Sequence, residues 1–158
     1  MKRIGLAMMA SPAVLASACG GSDDDDDDDA GGDDRLVAQG QHIFRFETFG
    51  DEAKWADTLR MHEVIEAAIG PATALSVGLE VDADALPQSI KDGIAAGTVD
   101  LKSPATTLAL LKLDAVIGLK GRVESENGVD KLRRVGITCA LCHSTVDNSF
   151  APGIGKRL

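Results

Sequence analysis

Apolar and polar positions along this chain follow two periods. Leu36, Gln39, Ile43 and Phe46 fall on one helical face, and Trp55, Leu59, His62, Ile65 and Ile69 recur at +4, +3, +3 and +4. The spacing predicts amphipathic helices over 35–46 and 51–69, the second closed by Gly70-Pro71. Leu75, Val77, Leu79 and Val81 alternate as a half-buried strand would, and Ala85, Leu86, Ile90 and Ile94 return to helical spacing over 82–96, with Gly97 as the stop. Ser103-Pro104 is an N-cap followed by proline at the first helical position, opening a helix through Leu113. Residues 115–123 read as a strand before the turn signal Asn127-Gly128. Val129, Leu132 and Val135 fit a helix, but the preceding strand and turn favour a hairpin, which would deliver Thr138 as the cap of a short helix, with Gly136 as the break. The predicted class is α+β, mainly helical, with a short β-hairpin before residue 138.

Composition supports one ordinary domain plus a tail. The chain has 158 residues and 44% apolar side chains, but only four Phe, one Trp and no Tyr, so Ala, Leu, Val and Gly must carry the packing. The net charge of -9 is unevenly placed. Nine aspartates against Lys2 and Arg3 put -7 on residues 1–34, which leaves -2 on 35–158. The acidity belongs to a linker, and nothing in it suits a nucleic-acid partner.

The N-terminus reads as an export signal. Met1-Lys2-Arg3 is a basic head, Ile4 to Leu15 an apolar stretch, and Ala16-Ser17-Ala18 a small-residue cleavage site before Cys19. Residues 1–18 are assigned to the signal and 19–34 to an acidic disordered linker. Seven adjacent aspartates, Asp23–Asp29, repel one another and have no apolar face to bury. They lack the alternating spacing and closing Glu of a calcium-binding loop. The small residues before Cys19 resemble a bacterial lipoprotein signal, which implies lipidation of Cys19, a membrane anchor and, with Gly20 following, outer-membrane sorting. Ala16 stands where that family prefers leucine, so ordinary cleavage near Ala18 is the alternative.

Thr138 to Ser144 reads Thr-Cys-Ala-Leu-Cys-His-Ser. Two thiols three positions apart on a helical turn point the same way and can add across the two vinyl groups of a porphyrin, and the adjacent histidine can ligate the iron. Cys139, Cys142 and His143 therefore predict one covalent haem c with His143 as axial ligand. Competing readings are a thioredoxin-like dithiol, which needs a βαβ context, and a zinc site, for which Cys19 is remote and His42 and His62 are poorly spaced. On the helical stripes, His62 and Met61 are candidate distal ligands, and a half-buried histidine bonded to backbone is the plainer reading of His62.

The stretch from Gly136 to Asp147, with Gly40 to Phe49, resembles bacterial exported c-type cytochromes, and residues 35–158 are identified as a cytochrome c-like domain with its haem end at the C-terminus. The resemblance implies one-electron transfer to redox protein partners at the periplasm-facing or outer membrane. It also implies that the carbonyl of Pro152 accepts a hydrogen bond from the His143 imidazole, where an ordinary Pro-Gly turn is the alternative. In that family a methionine follows the histidine by tens of residues, and here only fifteen residues follow, none of them Met. Either the domain is incomplete, which would leave poorly packed apolar surface at the C-terminal end, or the iron is five-coordinate or takes Met61, His62 or His42. A peroxidase-type enzyme, with an open sixth position and His62 or Glu63 in acid-base work, is the alternative function, and a haem-free lipoprotein scaffold with a dithiol is a third.

Overall fold

The computed structural model describes residues 30–158; the signal 1–18, Cys19 and the aspartate run lie outside the described residues. Helix α1, Ala30–Phe46, starts inside the stretch expected to be linker and is exposed from Asp33 to Ile43. Its predicted stripe is not buried: Leu36 is 61% and Ile43 49% exposed. Only its last turn meets the rest of the molecule, where Phe44 packs on Ile117, Ala140 and Val146.

The single helix expected over 51–69 is broken. A π-helical turn at Lys54–Thr58 is followed by Arg60 in a left-handed conformation (φ 53°) and by α2, Met61–Ala68. The break re-phases the stripe. Trp55, Ile65 and Ile69 still reach the core, while Leu59 is left outside. Polar contacts fix the new phase: the Trp55 indole donates to Asp51, and Asp57 pairs with Arg134 at 2.7 Å.

Residues 71–76 correct the strand expected at 74–81. Gly70 is extended and Pro71 occupies the first helical position, so the pair that ends one helix begins another, α3 (Pro71–Ser76). Of the alternating residues Val77 is exposed and Val81 buried, and only Val81–Asp82 forms a strand, β1. The helix expected over 82–96 also divides. Asp82 caps a 3-10 turn, Ala83–Ala85, and Leu86, extended before Pro87 as residues preceding proline prefer to be, separates it from α4, Gln88–Ala95. Gly97 closes α4 at φ 69°.

From residue 103 onward the expected elements form with shifted ends. Helix α5, Pro104–Lys112, buries Thr107, Leu108, Leu110 and Leu111, more than one stripe, because it lies between α2 and a hairpin. Strands β2 (Leu119–Glu126) and β3 (Val129–Ile137) pair antiparallel from Leu119↔Ile137 to Glu126↔Val129, with an irregularity at Arg122/Val123. Asn127 and Gly128 both have positive φ, as a two-residue hairpin turn requires. A one-turn helix α6, Ala140–His143, follows, and β4, Ile154–Gly155, returns parallel to β1. The fold is thus of mixed helix and strand, with more helix than strand and the hairpin directly ahead of the cysteine pair.

The main core joins Ile65, Leu86, Leu108, Leu111, Leu132, Val135 and Ile154. The segment after His143 is not left loose: Ile154 is in that core, Val81 N–H donates to Gly153, and Leu158 N–H donates to Thr145. Among the described residues no helix is long and apolar enough to cross a membrane.

Two stability measurements follow. Leu111 is 1% exposed, so Leu111→Ala should cost about 3 kcal/mol in urea unfolding. The Glu66 carboxylate lies below its ordinary range, chiefly because the Lys131 ammonium bonds to it, with the Leu132 N–H assisting and burial opposing. Folded Glu66 thus holds its proton less tightly than unfolded, so its contribution is present above the ordinary carboxylate value and fades as pH falls through the lowered one. Glu66→Gln should reduce stability at neutral pH by about 1 kcal/mol and flatten the acid limb of the stability profile.

Candidate cofactor-attachment site

The site is built where β3 ends. Thr138 N–H donates to the Gly118 carbonyl at 3.0 Å, Thr138 bridges Thr48 on the other side, and Phe49 N–H donates to Ile137. Gly118 sits at φ 80°, and a Cβ there would lie 2.2 Å from the Cα of Leu141, so the backbone of α6 rests directly on the glycine. Ala140, fully buried, packs on Ile117, Val146 and Phe44. Ala140 is turned inward, and positions 139, 142 and 143 fall within a sector of about 100° around the turn. Cys139 is half-buried, and Cys142 and His143 are exposed. Both thiols are free.

Two expected roles change. Thr138 does not cap α6 with its side chain: it is buried, its Oγ1 has no partner, and its carbonyl accepts from Leu141 N–H while Cys139 takes the cap position. Pairing to Thr48 turns its side chain away from the helix end. Gly136 is no break either. It lies within β3 opposite Lys120, and a Cβ would meet Thr48 at 2.6 Å, so the glycine lets residues 48–52 cross the strand.

The remaining candidates are dispersed. Pro152 lies exposed in a turn at Ala151–Ile154, where Ala151 accepts from Ile154 N–H and Gly153 N–H donates to Asn148. Met61 and His62 are on α2, whose Glu66 is bonded at Leu132. Helix α2 packs on α5 and β3, and Asp57, in the turn ahead of Met61 and His62, pairs with Arg134. His62 Nδ1 is buried without a partner, while its Nε2 is 3.9 Å from Glu63. His42, exposed on α1, is two residues before the Phe44 that touches Ala140 and rests against the Phe46 ring at 5.3 Å. Cys19 lies outside the described residues.

A buried cation adjoins the site. The Arg157 side chain is 4% exposed and bridges back to Val146 through its backbone. Burial lowers its pKa most, Asp82 counteracts this, and Arg45 adds to the lowering. Its Nε is 3.1 Å from Asp82, within ion-pair range, yet that N–H is not aimed at the carboxylate and Nη1 has no partner. The guanidinium instead stacks 5.6 Å from the Phe46 centroid. Sequence periodicity did not anticipate Arg157, Gly118 or Phe44, since each acts through a contact distant in the chain.

What the donors can hold follows from this geometry. Among the described residues no three His, Cys, Asp or Glu side chains converge as a metal site needs. A thioredoxin-like pair would open a longer helix after a parallel strand, whereas α6 has four residues and follows an antiparallel hairpin. Two free thiols one turn apart with an adjacent accessible imidazole fit thioether attachment of a haem. Enclosure is slight. The cavity beside the motif, lined by Glu80, Ile117, Leu141 and Thr145, holds about 180 Å³, below the roughly 300–1,000 Å³ of usual cofactor pockets. Comparison with protein-family models, curated proteins and solved structures finds no match to this chain.

Alkylation followed by peptide mapping should label Cys142 before Cys139. Gly118→Ala should destabilise the protein by several kcal/mol, through both its positive φ and the contact with Leu141, and should remove the difference in labelling rate as α6 is displaced.

Proposed function

We propose that the chain is an exported, membrane-tethered c-type cytochrome with a cytochrome c-like haem region at its C-terminal end, and that it transfers single electrons to redox proteins outside the cytoplasm. The observation that carries the reading is the Cys139-Ala-Leu-Cys142-His143 turn, with both thiols free and the imidazole accessible on one face. Cys139 and Cys142 would hold the porphyrin through their sulfurs, and the His143 imidazole would ligate its iron. Bound there, haem c supplies a one-electron couple. The chain's own part is to fix the turn: Ala140 and Gly118 hold α6 against the hairpin, so the thiols keep their one-turn spacing. The signal-like residues 1–18 and Cys19 support delivery to the periplasmic side and anchoring through lipid.

Expression in a host with a cytochrome c maturation system tests this. The wild type should carry one haem per chain that survives denaturation, giving a pyridine haemochrome spectrum, and Cys139→Ser/Cys142→Ser should carry none. Exported wild type with two free thiols at 139 and 142 and no covalent haem would refute the reading. Cys19→Ala should move the haem-bearing protein from the membrane to the soluble fraction.

A further inference from the structure

Strand β2 is the uncovered edge of the hairpin. Thr138 N–H donates to the Gly118 carbonyl, so even-numbered residues of β2 turn their backbone groups toward β3 and odd-numbered ones turn theirs outward. Arg122 pairs with Arg134 and Val123 with Leu132, which leaves the extra residue, Arg133, on β3 and the alternation unbroken along β2. The outer edge of β3 is closed: Leu132 N–H donates to Glu66, Ile137 N–H to Asp51, and the Ile137 carbonyl accepts from Phe49. Gly121, Val123 and Ser125 lack such partners. Their outward N–H and C=O groups make no hydrogen bond among the described residues, and no residue of β2 is buried.

A cleft of about 710 Å³ opens onto this edge. Lys120, Gly121, Arg122 and Val123 line it together, between Lys112 at the end of α5 and Glu52 on the other side of the hairpin. Neighbouring residues of a strand point to opposite faces, so four in succession share one opening only where it looks onto the strand's edge. An accessible edge of eight residues without proline is a template for a further strand.

The charges on β2 identify that strand. Lys120 and Arg122 occupy its first half and Glu124 and Glu126 its second, all on the face away from α5. Laid antiparallel on its own copy about Val123, the strand sets Gly121 opposite Ser125 and Val123 opposite itself as hydrogen-bonded pairs, which uses every outward group named above. The pairs between them are Arg122 with Glu124 and Lys120 with Glu126, opposite charges throughout. The neighbouring antiparallel registers that also match the outward groups centre on Arg122 or on Glu124 and put like charges on the axis. Parallel pairing in register sets every charge on its like. The cations already have partners in their own chain, Lys120 in Asp114 at 2.6 Å and Arg122 in Glu124 at 2.8 Å, both partly exposed pairs of small worth. The unpaired backbone of the edge therefore supplies the attraction, and the charges select the register.

We propose that the outer edge of β2 is a self-association surface: two copies of this chain join antiparallel about Val123 into one continuous sheet, ordered β3-β2-β2-β3. Residues 124–127, the tip half of each hairpin, enter the cleft of the other copy. The two cysteine turns, each following the far end of its own hairpin, then lie at opposite ends of the sheet. A single strand pair is small beside the ~1,200–2,000 Å² of stable interfaces, so the dimer is reversible. This inference is independent of the haem reading.

Sedimentation of the full chain after signal removal, with Cys19→Ser to exclude acylation and a reductant to exclude disulfides, tests it. The expected result is a concentration-dependent monomer–dimer equilibrium. Val123→Pro removes an outward N–H and spares the bonds to β3, so it should give a monomer with an unchanged near-ultraviolet spectrum. Arg122→Glu and Glu124→Arg should each weaken self-association at least about tenfold, because each puts two like-charged pairs across the axis. Mixed in equal amounts, these two variants should form a heterodimer of about wild-type affinity, a rescue between chains that damage within one strand does not produce. A chain that stays monomeric at ~100 μM, a folded Val123→Pro variant that still dimerises, or a mixture of the two charge variants without heterodimer would overturn the proposal.

Discussion

The close contact between α5 and the hairpin at Gly121 underlies the rest of the molecule. A Cβ at Gly121 would lie 3.0 Å from Leu111 and 3.2 Å from Leu132, the two largest fully buried aliphatic side chains, so the glycine lets both close over one point. Apolar burial has no direction of its own, and what makes it specific here is the absence of a side chain at the crossing. Held in this way, β2 and β3 form a stiff lever. One end carries the Asn127-Gly128 turn, and the other ends at Thr138 and the cysteine turn.

That lever explains why a four-residue helix can be a defined feature. Alone, one turn of helix is unstable, because nucleation costs more than a single hydrogen bond returns. Here the turn is fixed on three sides: by the Thr138–Gly118 backbone bond, by the contact of Leu141 on Gly118, and by Ala140 against Phe44. The polar links from residues 48–52 to Ile137 and Thr138 serve the same end. The side of α6 that faces solvent is therefore presented by a rigid support, although no deep cavity surrounds it.

How much of this was legible in the chain depends on the range of the governing interaction. Asn127-Gly128 and Ser103-Pro104 are local signals, and the hairpin turn and the opening of α5 follow them. Over 51–69 the apolar stripe is helical but in two pieces, because the re-phasing at Arg60 is set by Asp57 and Arg134, far apart in sequence. Over 74–81 the alternation of Leu75, Val77, Leu79 and Val81 was genuine yet misleading, since Pro71 as a helix start outweighed it. The exposure of α1 was illegible for a related reason. A stripe at 36, 39, 43 and 46 states that a helix has something to cover, not that its own chain covers it. The contacts that hold the candidate site, at Gly118, Phe44 and Arg157, leave no periodic trace at all.

Ala140 carries a consequence for how such a site tolerates change. In a Cys-x-x-Cys-His turn the two intervening positions are usually treated as free spacers, but here the first has no exposed surface and rests on Ile117 and Val146. Any larger side chain would have to lift the turn off its support and alter the stance of all three outward residues together. Leu141, facing the glycine through its backbone, has far more latitude in its side chain. Natural variation or a redesigned linker between these cysteines is thus asymmetric: the first spacer is part of the scaffold and the second is open to tuning.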